Sequence, residues 1–231
     1  MTHARASIFD SIAGLVHGFE RRQALDRSET RAEARARLAA ELASSGRLLA
    51  LHQVHGAVVH VAPWEGTPDG DGGVATEAGL LLSIETADCL PVLVVDPLER
   101  RVAAVHAGWR GTAARVAQKA VQALAAQGSR PENLLAALGP SIGVCCYEVG
   151  EELRAAFGPE GQAFFTPGPR GRPHLNVRAA NLAQLVESGL RHEHIDAIDE
   201  CTYCRPDLYH SYRRDGPGAG RTLSYVGFRK G

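Results

Sequence analysis

The chain has 231 residues, 45% of them hydrophobic, enough for a packed core and too apolar for extensive disorder. Its 25 Lys and Arg against 26 Asp and Glu leave a formal net charge of −1, so no global field draws it to nucleic acid or to an anionic membrane. Residues 1–9 lack the apolar core of a leader, and no stretch reaches the roughly 18 uninterrupted apolar residues of a membrane span, which predicts a cytoplasmic protein whose partners are small molecules.

In chain order, Thr-Arg-Ala-Glu (30–33) forms a capping-box pattern between Thr30 and Glu33, and an Ala-, Arg-, Leu- and Glu-rich run carries a predicted surface helix to Gly46. Residues 47–62 are apolar and β-branched without helical spacing and read as two strands meeting at Gly56. Gly-Thr-Pro-Asp-Gly-Asp-Gly-Gly (66–73) is too dense in glycine and proline for a ladder and reads as loop. The apolar runs 90–95 and 102–105 flank Asp96-Pro97-Leu98-Glu99-Arg100, a turn with proline at its first interior position, and predict a hairpin. A helix follows over 112–127, with Val116, Ala120, Val121 and Leu124 on one stripe and Gly128 as its stop. Another begins near Glu148 and stops at Gly158, and 163–173 reads as a Pro-, Gly- and Arg-rich loop. Asn176 caps a helix carrying Leu182, Leu185 and Val186 toward Gly189, and 209–228 reads as strand, glycine-rich turn, strand. Strands and helices alternate without strict βαβ spacing, so an α+β fold is expected, with mixed sheets covered by helices in one domain over residues 1–231.

Five cysteines, an odd count in a chain this long, point to reduced thiols rather than a disulfide framework. Cys201 and Cys204 have redox or zinc-knuckle spacing, but the sequence offers no second such pair to complete a four-cysteine site, so ordinary buried thiols are expected there. Cys145 and Cys146 are neighbours, which on a strand would face opposite ways, so buried thiols are expected there.

A hairpin turn centred on about residue 98 places position 89 opposite 106–108. Opposed Cβ atoms lie roughly 4.5–5.5 Å apart, close enough for a Cys89 thiolate and a His106 imidazole to share an ion. The remaining histidines are candidates for a third ligand, and His55, beside Gly56 at the mouth of its strand pair, is the best placed. A His₂Cys set leaves a fourth position open, the arrangement of a catalytic zinc site; the alternative is a small core cysteine and an ordinary strand histidine. His-Ala-Gly-Trp-Arg-Gly-Thr (106–112) leads from strand to helix, so Arg110 and free amides there suggest an anion site. Arg213, Arg214 and Arg221 near the C-terminal glycine turn form either a second anion site or a solvated face. Asp88 is a candidate proton carrier or a turn-closing carboxylate.

His-Gln-Val-His-Gly (52–56), Thr-Ala-Asp-Cys-Leu-Pro-Val (86–92), His-Ala-Gly-Trp-Arg-Gly-Thr (106–112), Gly-Pro-Ser-Ile-Gly-Val-Cys-Cys-Tyr-Glu-Val-Gly (139–150) and Ser-Tyr-Arg-Arg-Asp-Gly (211–216) together resemble the YfiH-like family. That family was first named polyphenol oxidase or laccase-domain protein and is now regarded as purine nucleoside phosphorylase with adenosine deaminase activity. The resemblance implies an αββα layered sandwich and His55, Cys89 and His106 as ligands of a metal that is usually zinc, with copper the other possibility. It also implies conversion of adenosine or inosine with phosphate to base and ribose 1-phosphate, with 5′-methylthioadenosine a further candidate substrate; Asp88, Arg110, Arg213 and Arg214 are the expected substrate contacts. Either a monomer or a homodimer is compatible with it. His17-Gly18-Phe19 matches the family's opening, whereas Glu20-Arg21-Arg22 departs from the glycine-rich segment that usually follows. Two other readings stand beside this one. A laccase needs several coppers and many paired histidines, yet the only H-x-H here is His192-Glu193-His194; a non-catalytic protein would use the zinc as a clamp.

Overall fold

In the computed structural model, which describes residues 3–22 and 30–230, short apolar segments become strands and the capped, Ala-rich segments become helices. The strands are β1 (His3–Ala4), β2 (Leu15–Glu20), β3 (Arg47–Leu49), β4 (Val59–Val61), β5 (Gly72–Ala75), β6 (Leu80–Thr86), β7 (Leu90–Asp96), β8 (Arg101–Ala107), β9 (Leu135–Leu138), β10 (Phe165–Pro167), β11 (Pro173–Leu175), β12 (Ile195–Ala197) and β13 (Thr222–Phe228). The helices are α1 (Arg31–Glu41), α2 (Trp109–Ala113), α3 (Val116–Ala126), α4 (Glu152–Phe157), α5 (Val177–Glu187) and α6 (Tyr212–Asp215). The strands form a five-stranded sheet ordered β1-β2-β13-β6-β3, a six-stranded sheet ordered β12-β9-β7-β8-β5-β4, and the small pair β10-β11. Both large sheets are mixed: β3 runs parallel to β6, β4 to β5 and β12 to β9, while the other pairs are antiparallel.

Strand alternation dictates how these sheets stack. Along β7, Val92 and Val94 pack toward Val116, Ala120 and Leu124 of α3 and Leu185 of α5. Leu93 and Val95 face the opposite way, against Leu82, Ile84 and Val226 of the five-stranded sheet. On that sheet's outer face, Leu81, Leu223 and Tyr225 meet Ala34 and Leu38 of α1. The layers are therefore helix, sheet, sheet, helix: the αββα sandwich that the resemblance implies. Every residue of β7 is buried, because a strand in the inner layer has no solvent face. Each fully buried Val or Leu there contributes about 1.5–3 kcal/mol. No helix among the described residues is long and apolar enough to cross a membrane.

The hairpin, the Thr30–Glu33 capping box and the Asn176 cap form as the sequence predicts. Other elements differ. The two strands read within 47–62 do not meet at Gly56; β3 joins one sheet and β4 the other, and residues 50–58 cross between the sheets. The 66–73 stretch is not all loop, since β5 begins at Gly72. A Cβ on Gly73 would lie 2.7 Å from the Trp64 ring, so glycine here makes room for a packed neighbour rather than a turn. The helix read over 112–127 starts earlier and breaks at Arg115, which is left-handed at φ 60°. The Thr112 carbonyl there accepts both the Arg115 amide and the Gln184 side-chain amide, each at 2.9 Å. The helix expected from Glu148 is confined to Glu152–Phe157, 163–173 contains β10 and leads into its partner β11, and the first strand read within 209–228 is replaced by α6.

His17 on β2 lies with its ring edge-on to Phe9, at 5.1 Å between centroids, and is 2% exposed. Burial, reinforced by the nearby Arg5 charge, holds its pKa down at about 4. The unfolded chain protonates His17 near pH 6.5 and the fold only near 4. Stability is thus fully present above about pH 6.5 and declines as pH falls toward 4, by on the order of 3 kcal/mol. Urea unfolding of His17→Phe at pH 7 and pH 4.5 is expected to show a smaller loss of stability on acidification than the native chain; an unchanged loss would contradict the assignment.

Candidate metal centre

His106 is the second-last residue of β8 and shares the inter-sheet face of Val102 and Ala104. In the hairpin ladder Leu90 pairs with Ala107 and Pro91 with His106, so continuation of the register sets position 89 against Gly108. Cys89 is therefore diagonal to His106 rather than squarely opposite it. The chain is not a regular strand at 88–89, because Asp88 sits at φ 87° and turns the backbone before β7 begins.

His55 arrives on the crossing segment between the sheets, where its own φ of 60° curls the backbone. That curl aims three successive amides at one carboxylate: Val54 N–H donates to Asp71 Oδ2 at 3.3 Å, His55 N–H to Oδ1 at 3.0 Å and Gly56 N–H to Oδ2 at 2.6 Å. Asp71 Oδ1 also lies 2.7 Å from His106 Nδ1, and the Asp71 carbonyl accepts the His106 amide at 2.7 Å. Asp71 is wholly buried. Burial acts to raise its pKa, and the hydrogen bonds from His106 and from the Gly56 and His55 amides outweigh it, holding the carboxyl below its ordinary range.

Ligand atoms of His55, Cys89 and His106 all lie within 4.8 Å of one another, and the two imidazoles stand edge-on with centroids 4.8 Å apart. Burial pushes the Cys89 thiol up, but the hydrogen bonds and charges of His106 and His55 prevail and bring it down to about 6. Burial pushes His106 down, and Asp71 and the Cys89 thiolate lift it to about 9. The thiolate a metal needs is thus already favoured at neutral pH. With Nδ1 held by Asp71, His106 keeps Nε2 for coordination, the carboxylate–histidine support usual around metal sites. A Cβ on Gly108 would stand 3.1 Å from Cys89 Sγ, 3.3 Å from His55 Cδ2 and 3.8 Å from His106 Cε1, so glycine there keeps the space among the three side chains open. The donor set and this space fit a borderline-soft divalent ion such as zinc or copper.

These three residues form part of the lining of a cavity of about 470 Å³. Gln53 pins the crossing segment to β6 by exchanging two hydrogen bonds with the Glu85 backbone, at 2.7 and 2.8 Å. Arg31 and Arg35, one turn apart on α1, line the cavity with Tyr147, Tyr212, Arg213 and Arg221, and Arg35 is paired with Glu85. Asp88 also lines it, but both its oxygens are engaged: Thr202 Oγ1 donates to Oδ1 at 2.6 Å and the Arg213 amide to Oδ2 at 2.7 Å. Arg213 crosses the Tyr147 ring at 5.4 Å and donates to the Glu148 carbonyl at 2.9 Å. Arg110 does not line the cavity; it is exposed over Trp109 on a five-residue helix. Arg214 is also outside, bonded to the Thr202, Tyr203 and Tyr209 carbonyls and to Asp215. Arg21 pairs with Glu200 at 3.5 Å. The sequence reading missed Asp71, Arg31 and Arg35. The burial expected of the remaining cysteines does not hold for Cys145 and Cys204, which are exposed; Cys146 and Cys201 are half-buried, and all four converge in one cluster.

Asp71→Asn removes the charge that aligns His106 while leaving the shape, and is expected to weaken metal binding about 10–100-fold, read by competition with a chromophoric chelator. Native affinity in that variant would contradict the role assigned to Asp71.

The sequence profile of the family described as multi-copper polyphenol oxidoreductase laccase matches residues 17–229. A purine nucleoside phosphorylase of Deinococcus radiodurans is 41% identical over 197 residues, covering 85% of this chain and 76% of that protein. Adenosine deaminase RL5, from an unknown prokaryotic organism, is 36% identical over 69% of this chain and 62% of its own length. The crystal structure of YlmD from Geobacillus stearothermophilus superposes with a TM-score of 0.85 at 30% identity, over 95% of this chain and 93% of that one. With its His55–Cys89–His106 triad framed by the αββα sandwich, this chain belongs to the laccase-like YfiH family.

Proposed function

We propose that this protein is a zinc-dependent purine nucleoside phosphorylase that also deaminates adenosine. The observation that carries the reading is the joining, in one cavity, of the His55–Cys89–His106 triad to four arginines. Arg221 is held below its ordinary pKa first by burial and then by the charge of Arg31, so two guanidiniums confront each other there. An anion between them relieves that repulsion, and phosphate is the anion that phosphorolysis requires.

Phosphorolysis breaks the bond from ribose C1′ to the base and forms one from C1′ to a phosphate oxygen. Arg31, Arg213 and Arg221 bind and orient that phosphate, while Asp88, tied to Thr202 and to the Arg213 amide, fixes the start of α6, on which Arg213 stands. Deamination exchanges the amino group of adenosine for a water oxygen and releases ammonia. A zinc ion held by His55, Cys89 and His106 supplies Lewis acidity in this cavity. Adenosine, inosine and 5′-methylthioadenosine are the substrates we infer, and a cytoplasmic setting accords with the reduced thiols. The names of the relatives support both activities. A multi-copper oxidase reading is disfavoured by the donors: among the described residues the metal-competent groups are one His₂Cys triad and one all-cysteine cluster, without the several imidazoles that such chemistry draws on.

Zinc-loaded protein incubated with adenosine is expected to yield adenine and ribose 1-phosphate when phosphate is present, and inosine and ammonia when it is omitted. Cys89→Ser should fall below about one hundredth of native activity, since even changes to residues behind the ligands cost 10–100-fold. Oxygen uptake with a phenol, and no turnover of any purine nucleoside, would overturn the reading.

A further inference from the structure

A second donor cluster lies outside the triad. Cys145 and Cys146 occupy a turn closed by the Cys146 amide on the Gly143 carbonyl at 3.0 Å. Cys201 and Cys204 occupy another, closed by the Arg205 amide on the Cys201 carbonyl at 3.1 Å. A bridge between Ser141 and Cys201 holds the two turns side by side. In turns, unlike in strands, adjacent residues can aim their side chains into one space, which removes the objection that Cys145 and Cys146 must face apart.

All four sulfurs lie within 4.8 Å of one another, with Cys145 Sγ 3.9 Å and Cys146 Sγ 3.3 Å from Cys204 Sγ. A tetrahedral zinc with Zn–S bonds of about 2.3 Å sets its sulfurs about 3.8 Å apart, so these two separations bracket that edge. Cys201 Sγ also accepts the Gly143 amide at 3.2 Å and the Cys204 amide; amides aimed at sulfur suit a thiolate. The same hollow is lined by Arg205 and Arg178, and Arg178 has Nε and Nη2 buried without a hydrogen-bond partner. Arg178 is paired with Asp199 through Nη1 and Arg205 with Asp207, so the hollow carries cationic groups whose charge is shared with neighbouring carboxylates.

We propose that Cys145, Cys146, Cys201 and Cys204 form a second metal site, a closed tetrathiolate holding a structural zinc ion. Four protein ligands leave no open position, so the ion clamps rather than reacts. It ties residues 143–147 to 201–205. Tyr147 leaves the first turn to line the cavity that holds the His55–Cys89–His106 triad, and Thr202 in the second donates to Asp88. The clamp therefore braces one wall of the candidate active site without touching substrate.

The test uses full-length Cys89→Ser, which disables the triad and leaves the cluster intact, purified under reducing conditions. Elemental analysis is expected to find about one zinc per chain, and cobalt substitution to give the intense sulfur-to-metal absorption of four thiolates. Cys89→Ser/Cys204→Ser should lose both, and Cys89→Ser/Cys145→Ser serves equally if the first double variant does not fold. Metal-free Cys89→Ser with four thiols freely titratable would overturn the proposal, as would an intact mass showing disulfides in place of bound metal.

Discussion

The Asp71 carboxylate is the interaction on which the candidate centre depends. Buried from solvent, it gathers the amides of Val54, His55 and Gly56 on one side and the His106 ring on the other. One charge thus fixes His55 through its backbone and His106 through its side chain. A carboxylate in such surroundings persists only because every approach to it is a donor, and removing one partner of a buried charge pair typically costs 3–5 kcal/mol. The left-handed His55 conformation, unfavourable for a residue with a side chain, is held in place by those amide contacts.

The layered core supplies the rigidity behind this arrangement. β8 is buried on both faces and paired with β5 and β7, so His106 emerges from the inner layer of the sandwich rather than from a loop. Asp71 immediately precedes β5, the neighbour of β8, which places carboxylate and imidazole on adjacent strands of one sheet. Glu85 and Thr86, at the end of β6, bring the other sheet to the same cavity. α1, packed on that sheet through Ala34 and Leu38, delivers Arg31 and Arg35 to its rim. His106 and the Arg31–Arg35 pair are therefore carried by different layers, and their spacing is set by how the two sheets pack.

Much of this was legible in the sequence where local chemistry and burial agree. The hairpin declared itself through two continuous apolar runs and a proline turn, and its centre alone brought Cys89 near His106. The caps at Thr30 and Asn176 follow from side-chain geometry within four residues. Asp71 was hidden because its segment has loop composition, while its role comes from amides 15–17 residues away that converge only when His55 turns left-handed. The four-cysteine cluster was hidden for a related reason: it joins two turns 58 and 59 residues apart, and neighbouring cysteines read as a strand pair point apart. Arg110 lies beside His106 in sequence yet stacks on Trp109 at the surface, whereas Arg31 reaches the cavity from a helix that composition marks only as exposed.

The most direct measurement is anomalous scattering at the zinc edge from crystals of the native protein grown with zinc. A peak about 2.3 Å from Cys89 Sγ and about 2.0–2.1 Å from one nitrogen each of His55 and His106 is the predicted result. Side chains found apart, with no density between them in zinc-saturated crystals, would contradict the account.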